Sequence, residues 1–244
     1  MQQTNYQLFD FLDFKPDLNE GDRLWRACSP TDITAKNGEI FVEIPFQKQN
    51  NSNEITPDFS VPKKTYTLRI KALGNKILRV TLGFGTEAME DSEMLEMSEG
   101  LSSTVLTFTK TEPEWIINDL QGNKKAVISF AESNIDWWSD LLPAPAETIF
   151  LSFYPDGKKE VALSAYDMFS PTRHDAFALA FVERNGEPHR STFAIQAKAD
   201  ECYYGTGERF AKMDLSGKTY QLRNQDGQGV NNRRTYKNIP FYLS

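Results

Sequence analysis

Apolar and polar residues alternate one for one along much of this chain, and that period decides what it can fold into. In Thr65-Tyr66-Thr67-Leu68-Arg69-Ile70-Lys71, Tyr66, Leu68 and Ile70 take one face while the other four residues take the opposite one. Residues 77–82 repeat the scheme with Leu78, Val80 and Leu82 directed inward. The Leu73-Gly74-Asn75-Lys76 connection carries the glycine and asparagine of a tight hairpin turn. Successive side chains of a strand point to opposite sides, so each such segment buries one face of a sheet and wets the other.

Further strands are expected over 40–46, 104–109, 115–118, 126–130, 148–154, 160–166, 177–183 and 192–198, with Asn185-Gly186 as a type I′ hairpin signal between the last two. The run 176–182 is apolar on both faces. It must be covered from both sides, in the middle of a sandwich or at an interface with another domain. No amphipathic helical stretch of useful length accompanies these strands. The pattern predicts an all-β protein, one large antiparallel β-sandwich spanning 1–244 and bigger than an immunoglobulin domain.

Composition excludes several function classes. With 39% hydrophobic residues, the chain can fill a core and is not of the disordered kind. A net charge of -7 speaks against nucleic acid or an anionic membrane as partner, since both need a basic footprint. No apolar run approaches the roughly 20 residues of a membrane span. Residues 1–6 lack the basic-then-apolar signal of an exported chain, so a cytoplasmic location is expected. Cys28 and Cys202 read most simply as buried small apolar residues, with one long-range disulfide as the other reading. His174 and His189 stand apart from both cysteines, so no zinc site is expected.

Three segments interrupt the strands. Residues 47–62 are polar and proline-bounded, as in a mobile loop. Residues 87–99 hold six acidic side chains, most simply a solvated face. Residues 134–145 are rich in tryptophan and proline, and adjacent Trp137 and Trp138 cannot form one flat platform in a strand.

Acid–base hydrolysis by paired carboxylates needs two of them facing each other across the bond that breaks. Pairs such as Glu112/Glu114 lie beside Pro113 in a turn and have no such context. No catalytic residue is therefore assigned within this chain. The loop Asn224-Gln225-Asp226-Gly227-Gln228-Gly229 differs: its glycines allow sharp turning and close approach, and its polar side chains suit sugar hydroxyls. The same residues also serve as plain turns whose side chains bond their own backbone. Gly205-Thr206-Gly207-Glu208-Arg209-Phe210 lacks the third glycine and the following helix of a phosphate loop. Arg233-Arg234 reads as a solvated or salt-bridged face, and 239–243 as an apolar strand.

Taken together, Tyr204-Gly205-Thr206-Gly207-Glu208-Arg209-Phe210, Asn224-Gln225-Asp226 and Tyr236-Lys237-Asn238-Ile239-Pro240-Phe241 resemble the end of the N-terminal β domain of glycoside hydrolase family 31. That family includes α-glucosidases and α-xylosidases. The resemblance implies a galactose-mutarotase-like β-sandwich, with a structural turn at the sheet edge over 205–210, that hands the chain to a catalytic barrel needing no metal or organic cofactor. It implies that the acid and the nucleophile of a retaining α-glycosidase lie in that barrel. It also implies that Asp226, with Gln225 and Gln228 beside it, lines the pocket for an oligosaccharide or glycoside. Gln225 stands where the family often has Arg or Glu, and the family's xylosidase-like members tend toward Asp-Gly-Gly where this chain has Asp226-Gly227-Gln228-Gly229, which leaves sugar specificity open. On this reading the domain's barrel-facing side, with Phe177, Leu179, Phe181 and residues 239–243, is an apolar surface for self-association. The competing reading is a free-standing carbohydrate-binding or interaction module.

Overall fold

A computed structural model describes residues 20–50, 58–74, 76–84, 103–112, 114–131, 148–155, 157–158, 161–163, 179–193, 195, 200–208, 212–217, 222 and 237–244. The chain divides into two compact units, Met1–Gln196 and Ala197–Ser244. Among the described residues the regular structure is all strand. No helix there is long and apolar enough to cross a membrane.

The first unit contains two antiparallel sheets. One consists of β1 (Arg23–Ala27), β2 (Asp32–Lys36), β3 (Glu39–Lys48), β4 (Lys64–Leu73), β5 (Ile77–Gly83), β6 (Ser103–Thr104), β12 (Leu179–Arg184) and β13 (Glu187–Phe193). Its order is β13-β12-β1-β3-β4-β5, with β2 added on β3 and β6 on β4. The other has the order β11-β10-β9-β8-β7, built from β7 (Leu106–Thr111), β8 (Glu114–Asp119), β9 (Lys124–Ala131), β10 (Thr148–Phe153) and β11 (Val161–Leu163).

Alternation explains the packing. Along β3, Ile40, Val42, Ile44 and Phe46 are fully buried, and Leu68, Ile70 and Ala72 follow on β4. They join Leu106, Trp115, Ile117, Ala126, Ile128 and Leu151 of the second sheet in one core, so two sheets share an apolar interior. The opposite face of β3 and β4 is polar: Arg69 donates two hydrogen bonds to Glu39 at 2.6 and 2.8 Å, and Thr67 donates to Glu43 at 2.8 Å. Cross-strand pairs of this kind fix the register.

Two-residue turns close two hairpins. Asn37-Gly38 joins β2 to β3 with φ of 54° and 80°, and Asn185-Gly186 joins β12 to β13 with φ of 55° and 85°. Positive φ at both central positions is the type I′ geometry, whose twist matches that of the strands. The turn at 185–186 places the partner strand earlier than expected from sequence. It starts at Glu187 instead of residue 192, and the register slips between Val182 and Glu183, where Pro188 pairs. A proline cannot donate to the ladder, and an edge strand at an irregularity is where a sheet tolerates one.

Strand β12 lies between β13 and β1, and Leu179, Ala180, Phe181 and Val182 are all buried. This settles the two readings of its apolar run in favour of the sandwich interior. The assignment of Leu179 and Phe181 to an exposed, barrel-facing surface is therefore corrected. Phe181 stacks on Trp25 at 5.9 Å and meets Phe46, Tyr66 and Phe84 edge-on at 5.2, 5.4 and 5.0 Å. Phe177 lies outside the described residues.

The polar segment 47–62 is also corrected at its ends. Gln47 and Gln49 are buried: Gln47 donates to the carbonyls of Asp58 and Val61, and Gln49 donates to that of Gln47. Lys48 pairs with Asp58 at 2.8 Å. The hydrogen bonds from Lys48 and Ser60 hold the Asp58 carboxyl down at about 2. Backbone carbonyls satisfy the NH2 groups of both buried amides, whereas the buried Gln49 Oε1 has no hydrogen-bond partner among the described residues. Cys28 is buried as expected, whereas Cys202 is exposed, and the two do not form a disulfide. Residues 87–99, Trp137, Trp138 and His174 lie outside the described residues.

Candidate functional site: the hairpin of the second unit

The second unit is organised by β14 (Tyr204–Gly207) and β15 (Asn238–Leu243), which pair antiparallel. Partners are Tyr204 with Leu243, Gly205 with Tyr242, and Gly207 with Asn238. The Glu208 N–H donates to the Lys237 carbonyl at 3.1 Å, one step beyond the last pair. Residues 209–236 therefore leave and rejoin the hairpin at a closed neck. Asp226, Gln225 and Gln228 belong to that span and lie outside the described residues, as do Arg233 and Arg234.

Local chemistry supports the neck. The Tyr203 and Tyr242 rings lie 5.6 Å apart, and the Tyr203 hydroxyl donates to Glu201 at 2.9 Å. Burial, then the Glu201 bond and charge, push Tyr203 up to about 12. Asp214 accepts from the Ser216 hydroxyl and from the backbone N–H groups of Ser216 and Tyr203, and the Ser216 hydroxyl leads in holding its carboxyl below the usual range. The Leu215 N–H donates to the Tyr203 carbonyl at 2.8 Å, tying this turn to the strand.

Gly205, Thr206 and Gly207 have φ of 113°, 65° and 96°. A Cβ on Gly207 would collide with the Lys237 carbonyl oxygen, and one on Gly205 would sit 2.7 Å from that of Phe241. Both positions thus require glycine twice over, for backbone conformation and for space. The turn that the resemblance implies is corrected where the structure describes it: 204–207 is a strand, with the register irregular between Gly205 and Gly207, while Arg209 and Phe210 lie outside the described residues.

Several other carboxylates among the described residues are committed to structure. Asp22 holds Arg184 through two bonds at 2.8 and 2.9 Å, Glu183 pairs with Lys64, and Asp119 caps its own turn. Among the described residues no cluster of three or more His, Cys, Asp or Glu side chains is placed to hold a metal ion.

Residues 67–244 match the family model described as the glycosyl hydrolase 31 N-terminal galactose mutarotase-like domain. The chain belongs to that family. Most of the first sandwich sheet, the whole second sheet and the hairpin fall inside the match. Two curated relatives are α-xylosidases. The chain is 49% identical over 45 residues to α-xylosidase XylQ of Lactiplantibacillus pentosus, a segment covering 18% of this chain and 6% of that protein. It is 38% identical over 64 residues to an α-xylosidase of Emericella nidulans, covering 26% of this chain and 8% of that protein. The aligned segments thus span under a tenth of either relative.

Proposed function

We propose that this chain serves as the N-terminal β-sandwich of a retaining α-glycosidase and lends one loop to the wall of its substrate pocket. The observation that carries the reading is the family match over 67–244, joined to the α-xylosidase character of both relatives. It makes an α-xyloside the first substrate to try, with α-glucosides next. The two carboxylates of a double displacement belong to a catalytic barrel outside this chain: one attacks the anomeric carbon, and the other protonates the leaving oxygen. That chemistry needs no metal or organic cofactor.

In this reading Asp226 accepts a hydrogen bond from a sugar hydroxyl, with Gln225 and Gln228 as neutral neighbours. The closed neck at Glu208 and Lys237 supports it, because it gives the intervening residues fixed points of departure and return. Ile239, Phe241, Tyr242 and Leu243 are exposed, and we read them as a surface that packs on the barrel.

The test is Asp226→Ala in the full-length enzyme. A charged acceptor on a hydroxyl contributes roughly 1.5–3 kcal/mol, so kcat/KM for an aryl α-xyloside should fall about ten- to a hundredfold. The unfolding midpoint should stay put. Normal kinetics with a clear loss of stability would mean that Asp226 only holds its own turn.

A further inference from the structure

The chain holds two Asn-Gly pairs in nearly the same local sequence, Lys36-Asn37-Gly38-Glu39 and Arg184-Asn185-Gly186-Glu187. Their backbones match as well, with φ of 54° and 80° in one turn and 55° and 85° in the other. An asparagine before glycine is prone to lose its side-chain amide, because no Cβ hinders attack by the glycine nitrogen. With local chemistry matched, a difference between the two sites must come from what surrounds each turn. Both asparagines are exposed, so access of water does not separate them.

The first turn is clamped. The Gly38 carbonyl accepts from the Leu106 N–H at 2.9 Å, and a Cβ built on Gly38 would lie 3.3 Å from Val105 Cγ2. Glu39, the next residue, accepts two hydrogen bonds from Arg69 and pairs with Lys71 at 3.5 Å. The β2–β3 ladder runs unbroken from Asp32–Glu43 to Lys36–Glu39. The second turn is looser. Gly186 and Glu187 are exposed, and a Cβ on Gly186 would meet nothing within 4 Å among the described residues. Its ladder slips between Val182 and Glu183, and the residue that pairs with Glu183 is Pro188, which has no N–H to give. Arg184 is tied to Asp22 by two bonds and to His189 Nε2 by one at 3.0 Å, but the contact with His189 is exposed to water.

We propose that Asn185 is a site of spontaneous deamidation in the folded protein, and that the packing around Gly38 protects Asn37 from the same reaction. The Gly186 nitrogen attacks Asn185 Cγ. A bond forms between them, the bond from Cγ to the side-chain nitrogen breaks, and ammonia leaves with the proton of the Gly186 N–H. Water then opens the resulting succinimide at either carbonyl, giving aspartate or isoaspartate at 185. The imide ring cannot close on the backbone of a type I′ turn, so the turn must first open locally, and the ease of that opening sets the rate. The isoaspartyl product lengthens the main chain of a turn that fixes the register of β12 with β13.

The experiment incubates the full-length protein at mildly alkaline pH in heavy-oxygen water, so that hydrolysis during the incubation leaves an isotope label. Peptide mapping with isoaspartate detection then follows both sites. In the folded protein, conversion at Asn185 should exceed that at Asn37 at least about tenfold, because the second turn opens more readily. In urea the two should convert within about threefold of each other, since unfolding removes the clamp and leaves matched sequences. Comparable rates at the two sites in the folded protein, or no label at 185, overturn the inference. A preference for Asn185 that persists undiminished in urea overturns it as well, because local sequence and not packing would then set the rates.

Discussion

Phe181 is the residue whose removal should cost the sandwich most. Its side chain is fully buried, and four aromatic rings, from Trp25, Phe46, Tyr66 and Phe84, lie within 5.0–5.9 Å of its centroid. Truncating a buried Phe to Ala costs about 3–5 kcal/mol, the loss of transfer energy plus the cavity left behind. Aromatic pairs add roughly 0.5–1.5 kcal/mol each beyond area, though they are not additive. With four partners the upper half of the range is expected. Urea unfolding followed by tryptophan fluorescence reads this directly, since Trp25 stacks on the ring. At a slope of about 2.5 kcal/mol/M the midpoint should fall by about 1.5–2 M. Phe181→Leu refills part of the space and should cost about 1–2 kcal/mol. A loss under about 1 kcal/mol for Phe181→Ala would refute the reasoning, because truncations at exposed sites usually stay within about 0.5 kcal/mol. It would place Phe181 on a surface awaiting another domain.

Asp119 supplies a pH test. Burial pushes its carboxyl upward, but bonds from the Asn123 side chain and backbone, the Lys125 charge and the Gln121 N–H outweigh it, and the net shift is downward. A depressed carboxylate contributes stability above its unfolded value of about 4, and that contribution is lost as pH falls through the folded value. Wild type should therefore lose more stability than Asp119→Asn on acidification below about pH 4, and parallel acid titrations of the two would refute this. The apolar side chains of β15 lead to another test: small-angle scattering of the 244-residue chain should show apparent mass rising with concentration. Phe241→Glu should suppress that rise, and a strictly monomeric wild type would count against the barrel-packing surface.

Sequence made the alternating elements legible. Strands β3, β4 and β5, the antiparallel pairing of β4 with β5 and the turn at 185–186 lie where period and turn residues put them. Strand β1 escaped because it does not alternate: Leu24, Trp25, Arg26 and Ala27 are all buried. Strand β2 escaped because Ile33 is its only buried residue, although the Asn37-Gly38 pair after it was an available hairpin signal. Period cannot tell a strand covered on both faces from one at a domain interface, which is why Phe181 needed three-dimensional contacts to place. At the candidate site the motif residues were recognisable, but the reason for two glycines was not. It lies in the approach of Gly205 and Gly207 to carbonyls thirty or more residues further along, at Phe241 and Lys237, and no local pattern encodes that distance.

The most direct test of the account is turnover of an aryl α-xyloside by the full-length protein and, side by side, by the 244-residue chain. The account predicts hydrolysis by the full-length protein with the α anomer of the sugar released first, as retention requires, and none above buffer by this chain alone. Activity that copurifies with the 244-residue chain, or a full-length protein inert toward α-xylosides and α-glucosides alike, would contradict it.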